Sequence, residues 1–322
     1  MSDFTALIIG CGPMGTASAK LCLEDSNFKD IVVADRNIQR AEHLAESLGS
    51  SVTALEVDCF QEDQVTRSLS GIAVVLNTTG PFSRDTMSFM RTVIEAGVPY
   101  ADINDDVETL QRVFESEYLD SLAKHRGVGV LPGLGASPGQ TNVLSRHLAG
   151  RMDIVEEVRF FMVNDASDSS ESVWRHRLAL FGQSVLLYDC GRWTQTPGMS
   201  EFQDIEFPSP WASIRCYTVG LETVTIPTSF PSLRHASVWR GFSDPTTTET
   251  LKGLIDSGFS AEDPVIVDGV PVSPAGMAAA MLAGSPPKGS GGVVDRLPRQ
   301  VRVKGIKDGR PAELTMTYSF PP

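Results

Sequence analysis

The segment ALIIGCGPMG (6–15) sets Gly10, Gly12 and Gly15 in a Gly-x-Gly-x-x-Gly spacing, directly after an apolar run and ahead of a helical pattern. Few local structures accept all three glycines in that setting. Gly10 permits a tight turn leaving a strand, Gly12 lets the backbone approach a pyrophosphate, and Gly15 lets helix and strand pack closely. Pro13 and Met14 fall in the first helical turn, whose N–H groups and positive dipole end suit a phosphate. A second apolar run, 31–34, ends at Asp35, twenty-five residues after Gly10. A carboxylate there can bind both hydroxyls of an adenosine ribose and repel a 2′-phosphate, which favours NAD as cofactor. Arg36 beside it could stack on adenine or hold a 2′-phosphate, so NADP stays open. The plainer alternative is a structural glycine turn followed by a surface aspartate.

The spacing of apolar residues extends this unit into a domain. Short strand-like runs at 6–9, 31–34, 52–57, 72–76, 98–103 and 128–131 alternate with helical patterns at 13–24, 37–48, 62–69, 84–96 and 106–125. Such alternation implies right-handed βαβ units and a Rossmann-type, doubly wound α/β domain on a parallel sheet, over 1–136. Beyond Ala136 the pattern changes. A helix is expected at 138–150, strands at 155–163, 214–219, 222–227 and 235–240, and helices at 170–187, 246–257 and 274–283. The end, 300–320, alternates around Lys307-Asp308-Gly309-Arg310, a hairpin signal. These features predict a second, α+β domain over 137–322, built on a mixed or antiparallel sheet and serving substrate binding and dimerisation. Part of its C-terminal segment is expected to pack back on the first domain. The segment 285–292, rich in Pro, Gly and Ser, reads as a surface loop.

Bulk properties narrow the partners. The chain has 322 residues with a net charge of −13, which argues against a nucleic-acid backbone or an anionic membrane. No apolar run approaches the roughly 18 residues of a membrane span, and the N-terminus has no basic leader region. Cys11, Cys22, Cys59, Cys190 and Cys216 are an odd number without a C-x-x-C pair, so neither a disulfide framework nor a zinc site is expected and the cytoplasm is the natural compartment. No His/Cys/Asp group has metal-ligand spacing along the chain, so no metal is expected.

Loops at the carboxyl ends of parallel strands line the ligand crevice. Asp58 ends the third strand, where adenine contacts are usual, and Asn77, Thr78 and Gly80 follow the fourth, facing the nicotinamide half. Asn77 and Gly80 could also be ordinary turn residues. Asp102 and Asn104 end the fifth strand; Asp102 is a candidate acid or base, and Asn104 a candidate substrate contact. Asp105 and Asp106 suit a helix N-terminus instead.

LNTTGPF (76–82), GVPYADINDD (97–106) and LPGLGASPGQTNVLSRHLA (131–149) resemble successive signatures of the saccharopine dehydrogenase-like family, which includes saccharopine reductases, carboxynorspermidine dehydrogenases and lysine 6-dehydrogenases. GLETVTIP (220–227), SPAGMAAAMLAG (273–284) and VKGIKDGR (303–310) look like that family's second domain and closing hairpin. The resemblance implies an NAD(P)-linked oxidoreductase acting at a carbon–nitrogen bond of an amino acid, diamine or imine. Saccharopine reductases carry a tyrosine where this chain has Phe82, a candidate substrate contact, and this chain is shorter; both count against saccharopine as the substrate.

In the second domain, ESVWRHRLALFG (171–182) concentrates Trp174, Arg175, His176 and Arg177. Arg175 could grip a substrate carboxylate, Trp174 could contact substrate, and His176 could shuttle a proton. Only one helix face can point inward, and an exposed basic turn with a packed tryptophan explains the segment equally well. His235, Trp239 and Arg240 form a second set on a later strand. The sequence leaves three functions open: a homodimeric amine or imine oxidoreductase, a dehydrogenase of a carbonyl or alcohol, and a non-catalytic dinucleotide sensor.

Overall fold

The computed structural model describes residues 4–80, 82, 85–165, 170–220, 222–284 and 297–319. It divides into two compact units, 1–140 and 141–322.

In the first unit, β1 (Phe4–Ile9), α1 (Pro13–Glu24), β2 (Phe28–Asp35), α2 (Ile38–Leu48), β3 (Val52–Glu56), α3 (Glu62–Ser68), β4 (Val74–Asn77), α4 (Asp85–Glu95), β5 (Tyr100–Asp102), α5 (Val107–Phe114), α6 (Glu117–Arg126) and β6 (Val130–Leu131) follow in order. The six strands pair in parallel in the order β3-β2-β1-β4-β5-β6. The chain therefore reverses direction across the sheet between β1 and β4, the place where doubly wound folds open a ligand crevice. The alternation along β1 explains the two layers. Ala6 and Ile8 pack with Ala19, Cys22 and Leu44 of α1 and α2, whereas Leu7 and Ile9 pack with Val65, Met90 and Ile94 of α3 and α4. A strand covered on both faces reads as a continuous apolar run.

The single helix expected at 106–125 is two. Ser116 accepts a hydrogen bond from the N–H of Leu119 and starts α6 afresh, while Asp106 caps α5 through the N–H of Thr109. Capping residues in mid-pattern interrupt an otherwise periodic stretch.

The second unit contains α7 (Gln140–Ala149, at the boundary), β7 (Ile154–Asn164), α8 (Glu171–Gly182), β8 (Val185–Asp189), β9 (Arg192–Thr196), β10 (Phe202–Glu206), β11 (Ser213–Val219), β12 (His235–Phe242), α9 (Pro245–Asp256), β13 (Val265–Val267), β14 (Val270–Val272), α10 (Pro274–Gly284), β15 (Arg299–Lys307) and β16 (Arg310–Tyr318). The main path of its sheet is β10-β11-β12-β7-β15-β16, with the β8–β9 hairpin attached to β12. Among its described strands only β12 and β7 run parallel, so the sheet is mixed, as expected for an α+β unit. The closing hairpin forms at its expected place, with Asp308 and Gly309 at φ 51° and 73°.

Two expectations in this unit need correction. The helix drawn over 170–187 stops at Gly182, and Val185–Asp189 is a strand that turns back into β9. The strand drawn over 222–227 is instead two short 3-10 turns, Glu222–Val224 and Pro227–Ser229. Thr223, Val224, Thr225 and Ile226 are all buried there, so threonine mimicked the polar half of a strand alternation, and Thr223 in fact donates its hydroxyl to Leu186 O at 2.8 Å. The expected surface loop at 285–292 lies outside the described residues.

Candidate functional site

The glycine loop is held from three sides. Gly10 N–H donates to Ala34 O on β2 at 2.7 Å. Thr78, at the end of β4, donates its hydroxyl to Ile9 O and Gly10 O at 3.0 and 2.8 Å. The Asp35 carboxylate accepts the N–H of Cys11 at 3.0 Å and of Asn37 at 2.9 Å. Two of the glycines are required by this packing. Gly10 has φ +102°, and a Cβ on Gly15 would sit 1.8 Å from Gly10 O. Gly12 differs: a Cβ there would meet no atom within 4 Å, so the space beside it is open. Gly12 also leads into α1 with no side-chain cap and no acidic residue in the first turn. An uncapped N-terminus beside open space is a fitting receptor for a pyrophosphate.

A cavity of about 460 Å³ runs along this loop, in the usual size range for ligand pockets. Of the cofactor candidates read from sequence, Gly10, Gly12, Asp35, Arg36, Asp58, Thr78 and Gly80 line it. So do Thr79, a small polar residue of the same LNTTGPF segment, and Arg40 and Phe60, which the sequence does not mark. Arg40 lies one helical turn from Arg36 at the start of α2, a spacing that could have drawn notice. Phe60 is about half exposed beside the cavity, a surface for a base to stack on. Cys11 sits between the glycines as a small packed residue; burial, and next the Asp35 carboxylate, push its thiol up to about 11. That thiol is inert at neutral pH.

Pro13 and Met14 are exposed at the start of α1, and Gly15 is buried against the loop. Asn77 lies behind the cavity wall, 1% exposed. Its Oδ1 accepts the N–H and the hydroxyl of Thr79 at 3.0 and 2.6 Å, and its Nδ2 donates to the Tyr100 hydroxyl at 2.9 Å. Tyr100 in turn donates to Asp102 at 2.8 Å. Asp102 also accepts the N–H groups of Asn104 at 3.0 Å and Gly133 at 2.7 Å. Asn77 and Asp102 are register partners on β4 and β5, which is why one phenol can bridge them. Burial raises the Asp102 carboxyl above its ordinary range, opposed by its three donors, and raises the Tyr100 phenol well above its own. Asn104 is fully buried; its Oδ1 accepts Asp106 N–H at 2.8 Å, while its Nδ2 has no partner among the described residues. Phe82 is half-buried.

In the second unit, α8 sorts its polar residues by face. Trp174 is buried and stacks on Phe242, ring centroids 6.0 Å apart. Arg175 points outward into a two-pronged ion pair with Glu262, which holds that carboxyl below its usual range. His176 is exposed. Arg177 is the inward cation, 4.8 Å from the Trp174 ring and 5.3 Å from the Phe242 ring, donating to Asp165 O. Burial lowers its pKa. Trp239, from the second candidate set, donates to Ser237 at 2.8 Å and packs in a core with Phe161 and Cys216.

Residues 6–128 match the family described as saccharopine dehydrogenase NADP binding domain. A carboxyaminopropylagmatine dehydrogenase of Synechocystis sp. is 24% identical over 318 residues, covering 94% of this chain and 78% of its own length. Among solved structures, the apo saccharopine dehydrogenase (L-Glu forming) of Saccharomyces cerevisiae superposes with a TM-score of 0.68 at 14% identity, covering 98% of this chain and 85% of that one. An amine dehydrogenase from Mycobacterium smegmatis gives a TM-score of 0.50 at 12% identity, over 98% and 86%. The resemblance read from the signatures is borne out, as are the fold class and a cofactor of the NAD(P) type.

Proposed function

We propose, from the match of residues 6–128 to the family described as saccharopine dehydrogenase NADP binding domain, that the protein is an NAD(P)-dependent oxidoreductase acting at a carbon–nitrogen bond of an amino acid, diamine or imine. The observation that carries this reading is the open, uncapped glycine loop set against the Asp35 carboxylate. The choice of bond rests on the relative that spans nearly the whole chain, a dehydrogenase whose substrate name denotes amine nitrogen.

The nicotinamide supplies the hydride exchange when bound. The chain supplies position. The N–H groups at the start of α1 receive the pyrophosphate, and Asp35 receives the ribose hydroxyls. Each Asp35 oxygen accepts one backbone N–H, which leaves acceptor capacity on both. That favours NAD, with Arg36 and Arg40 as the groups through which NADP would be held. Thr78, Thr79 and Gly80 border the nicotinamide half. Asp102, enclosed by three donors, acts by bracing β4 and β5 from behind. Its neighbour Asn104 remains the candidate substrate contact from the end of β5. Arg175 is the candidate for a substrate carboxylate, which would take the place of Glu262 on its guanidinium. His176 is the candidate proton carrier of α8.

A cytoplasmic homodimer completes the proposal. All five cysteines are free of disulfides, which supports a reducing compartment. Among the described residues no helix is long and apolar enough to cross a membrane. Val265, Ile266, Val267 and Val270 stand exposed on the small β13–β14 hairpin, which supports a subunit contact. Sedimentation of the purified chain tests the dimer.

The activity is tested by offering NADH and NADPH with cyclic imines, with keto acids plus amines, and with aldehydes or ketones alone. Oxidation of the cofactor only where a C=N bond can form supports the proposal. Reduction of a carbonyl compound to its alcohol would move the protein to the carbonyl dehydrogenases, and tight binding without turnover would leave a sensor.

A further inference from the structure

We propose that Asp189, Cys190 and His235 form a surface site for a borderline transition-metal dication, with zinc as the reference ion. None of the three lines the dinucleotide cavity, and along the chain His235 is far from the other two. The fold brings them together. β8 and β9 are joined by a two-residue turn, Cys190-Gly191, with φ 48° and 77°. Tyr188 pairs with Ala236, and Gly191 N–H donates to Arg234 O at 3.0 Å, so the turn is fastened against the start of β12. Asp189 Oδ1 then lies 2.7 Å from His235 Nδ1. One ligand atom from each of the three residues lies within 4.8 Å of the others.

The donor set decides the ion class. A thiolate, an imidazole and a carboxylate offer sulfur, nitrogen and oxygen together, which suits zinc and its neighbours; magnesium and calcium require oxygen shells that one carboxylate cannot provide. Zinc bonds of about 2.0–2.3 Å set tetrahedral donors roughly 3–4 Å apart, so the Asp189–His235 pair has to open slightly from 2.7 Å to admit the ion. The side chains can do so, being 58% exposed at Asp189 and 40% at His235, with Cys190 also exposed. On binding, Asp189 and His235 exchange their mutual hydrogen bond for the ion, each turning its donor atom toward the metal. Three protein donors leave a fourth position for water. Binding releases the Cys190 thiol proton to solvent, so the thiolate is the ligand.

The test is zinc titration of the full-length reduced protein in competition with a chromophoric chelator, with cobalt(II) as spectroscopic probe. The expected result is one zinc per chain in the micromolar range or tighter, unaffected by excess magnesium. Cys190→Ser and His235→Ala should each weaken it by about tenfold or more, with far-UV circular dichroism unchanged. The cobalt form should show a sulfur-to-metal charge-transfer band that Cys190→Ser abolishes. Absence of saturable zinc binding, or the same affinity in both variants as in the parent, would overturn the site.

Discussion

The Asp35 carboxylate holds the backbone N–H of Cys11 at 3.0 Å, so the acid that ends β2 also shapes the glycine loop that follows β1. Under the proposed function one side chain would serve two parts of a dinucleotide, the ribose directly and the pyrophosphate through the loop. Asp35→Ala should weaken NADH binding by about tenfold to a hundredfold, the scale of lost hydrogen bonds to a charged group. NADPH binding should fall less, shifting preference toward it. Fluorescence titration with both cofactors checks this, and an unchanged NADH/NADPH ratio would remove the ribose role.

Gly12 and Gly15 should separate binding from stability. A Cβ on Gly15 collides with Gly10 O at 1.8 Å, whereas one on Gly12 meets nothing within 4 Å. Gly15→Ala should therefore lower stability by about 1–3 kcal/mol, as overpacking does, and weaken cofactor binding with it. Gly12→Ala should melt at the parent temperature yet bind NADH at least about tenfold more weakly, because the methyl fills space needed by the pyrophosphate. Paired thermal melts and titrations decide between them.

The phenol of Tyr100 joins Asn77 and Asp102, which face each other across β4 and β5. Tyr100→Phe should cost about 1–3 kcal/mol in denaturant unfolding, since it strips a partner from two buried polar groups. It should also loosen Thr79, which Asn77 holds, and so raise KM for the cofactor more than it lowers kcat.

Asp102 makes stability depend on pH with a definite sign. Its carboxyl is raised above the ordinary 3.8 chiefly by burial, so the folded chain holds a proton that the unfolded chain has released. The stabilisation this supplies is full below about pH 4 and is lost as pH climbs through the raised value. Asp102→Asn should remove that decline. Denaturant midpoints of parent and variant, measured at steps from about pH 4 to about pH 7, should diverge in slope across this window.

What could be read in advance, and what could not, follows from how far apart the interacting residues lie. The glycine loop and Asp35 were readable because a fixed spacing on a strand–loop–helix–strand unit prescribes their neighbours. The bracing of Asn77 by Tyr100 and Asp102 depends on β4 lying beside β5, which no spacing encodes. On α8 the sequence marked Trp174, Arg175, His176 and Arg177 but not the phase of the helix, which turns Arg175 to Glu262 and Arg177 to the Trp174 ring. Strands β9 and β10 escaped notice because their residues are mostly exposed and polar, leaving no period-two signal. The grouping of Asp189, Cys190 and His235 was invisible for a similar reason, as only the attachment of the β8–β9 hairpin to β12 creates it.

The central claim is hydride exchange at carbon bonded to nitrogen, and isotope transfer tests it most directly. NADH carrying deuterium at nicotinamide C4 is incubated with the protein and an imine-forming pair that supports turnover, and the product is examined by mass spectrometry and NMR. The account predicts deuterium on the carbon bound to nitrogen, in step with NADH consumed. Deuterium found only on a carbinol carbon would contradict it.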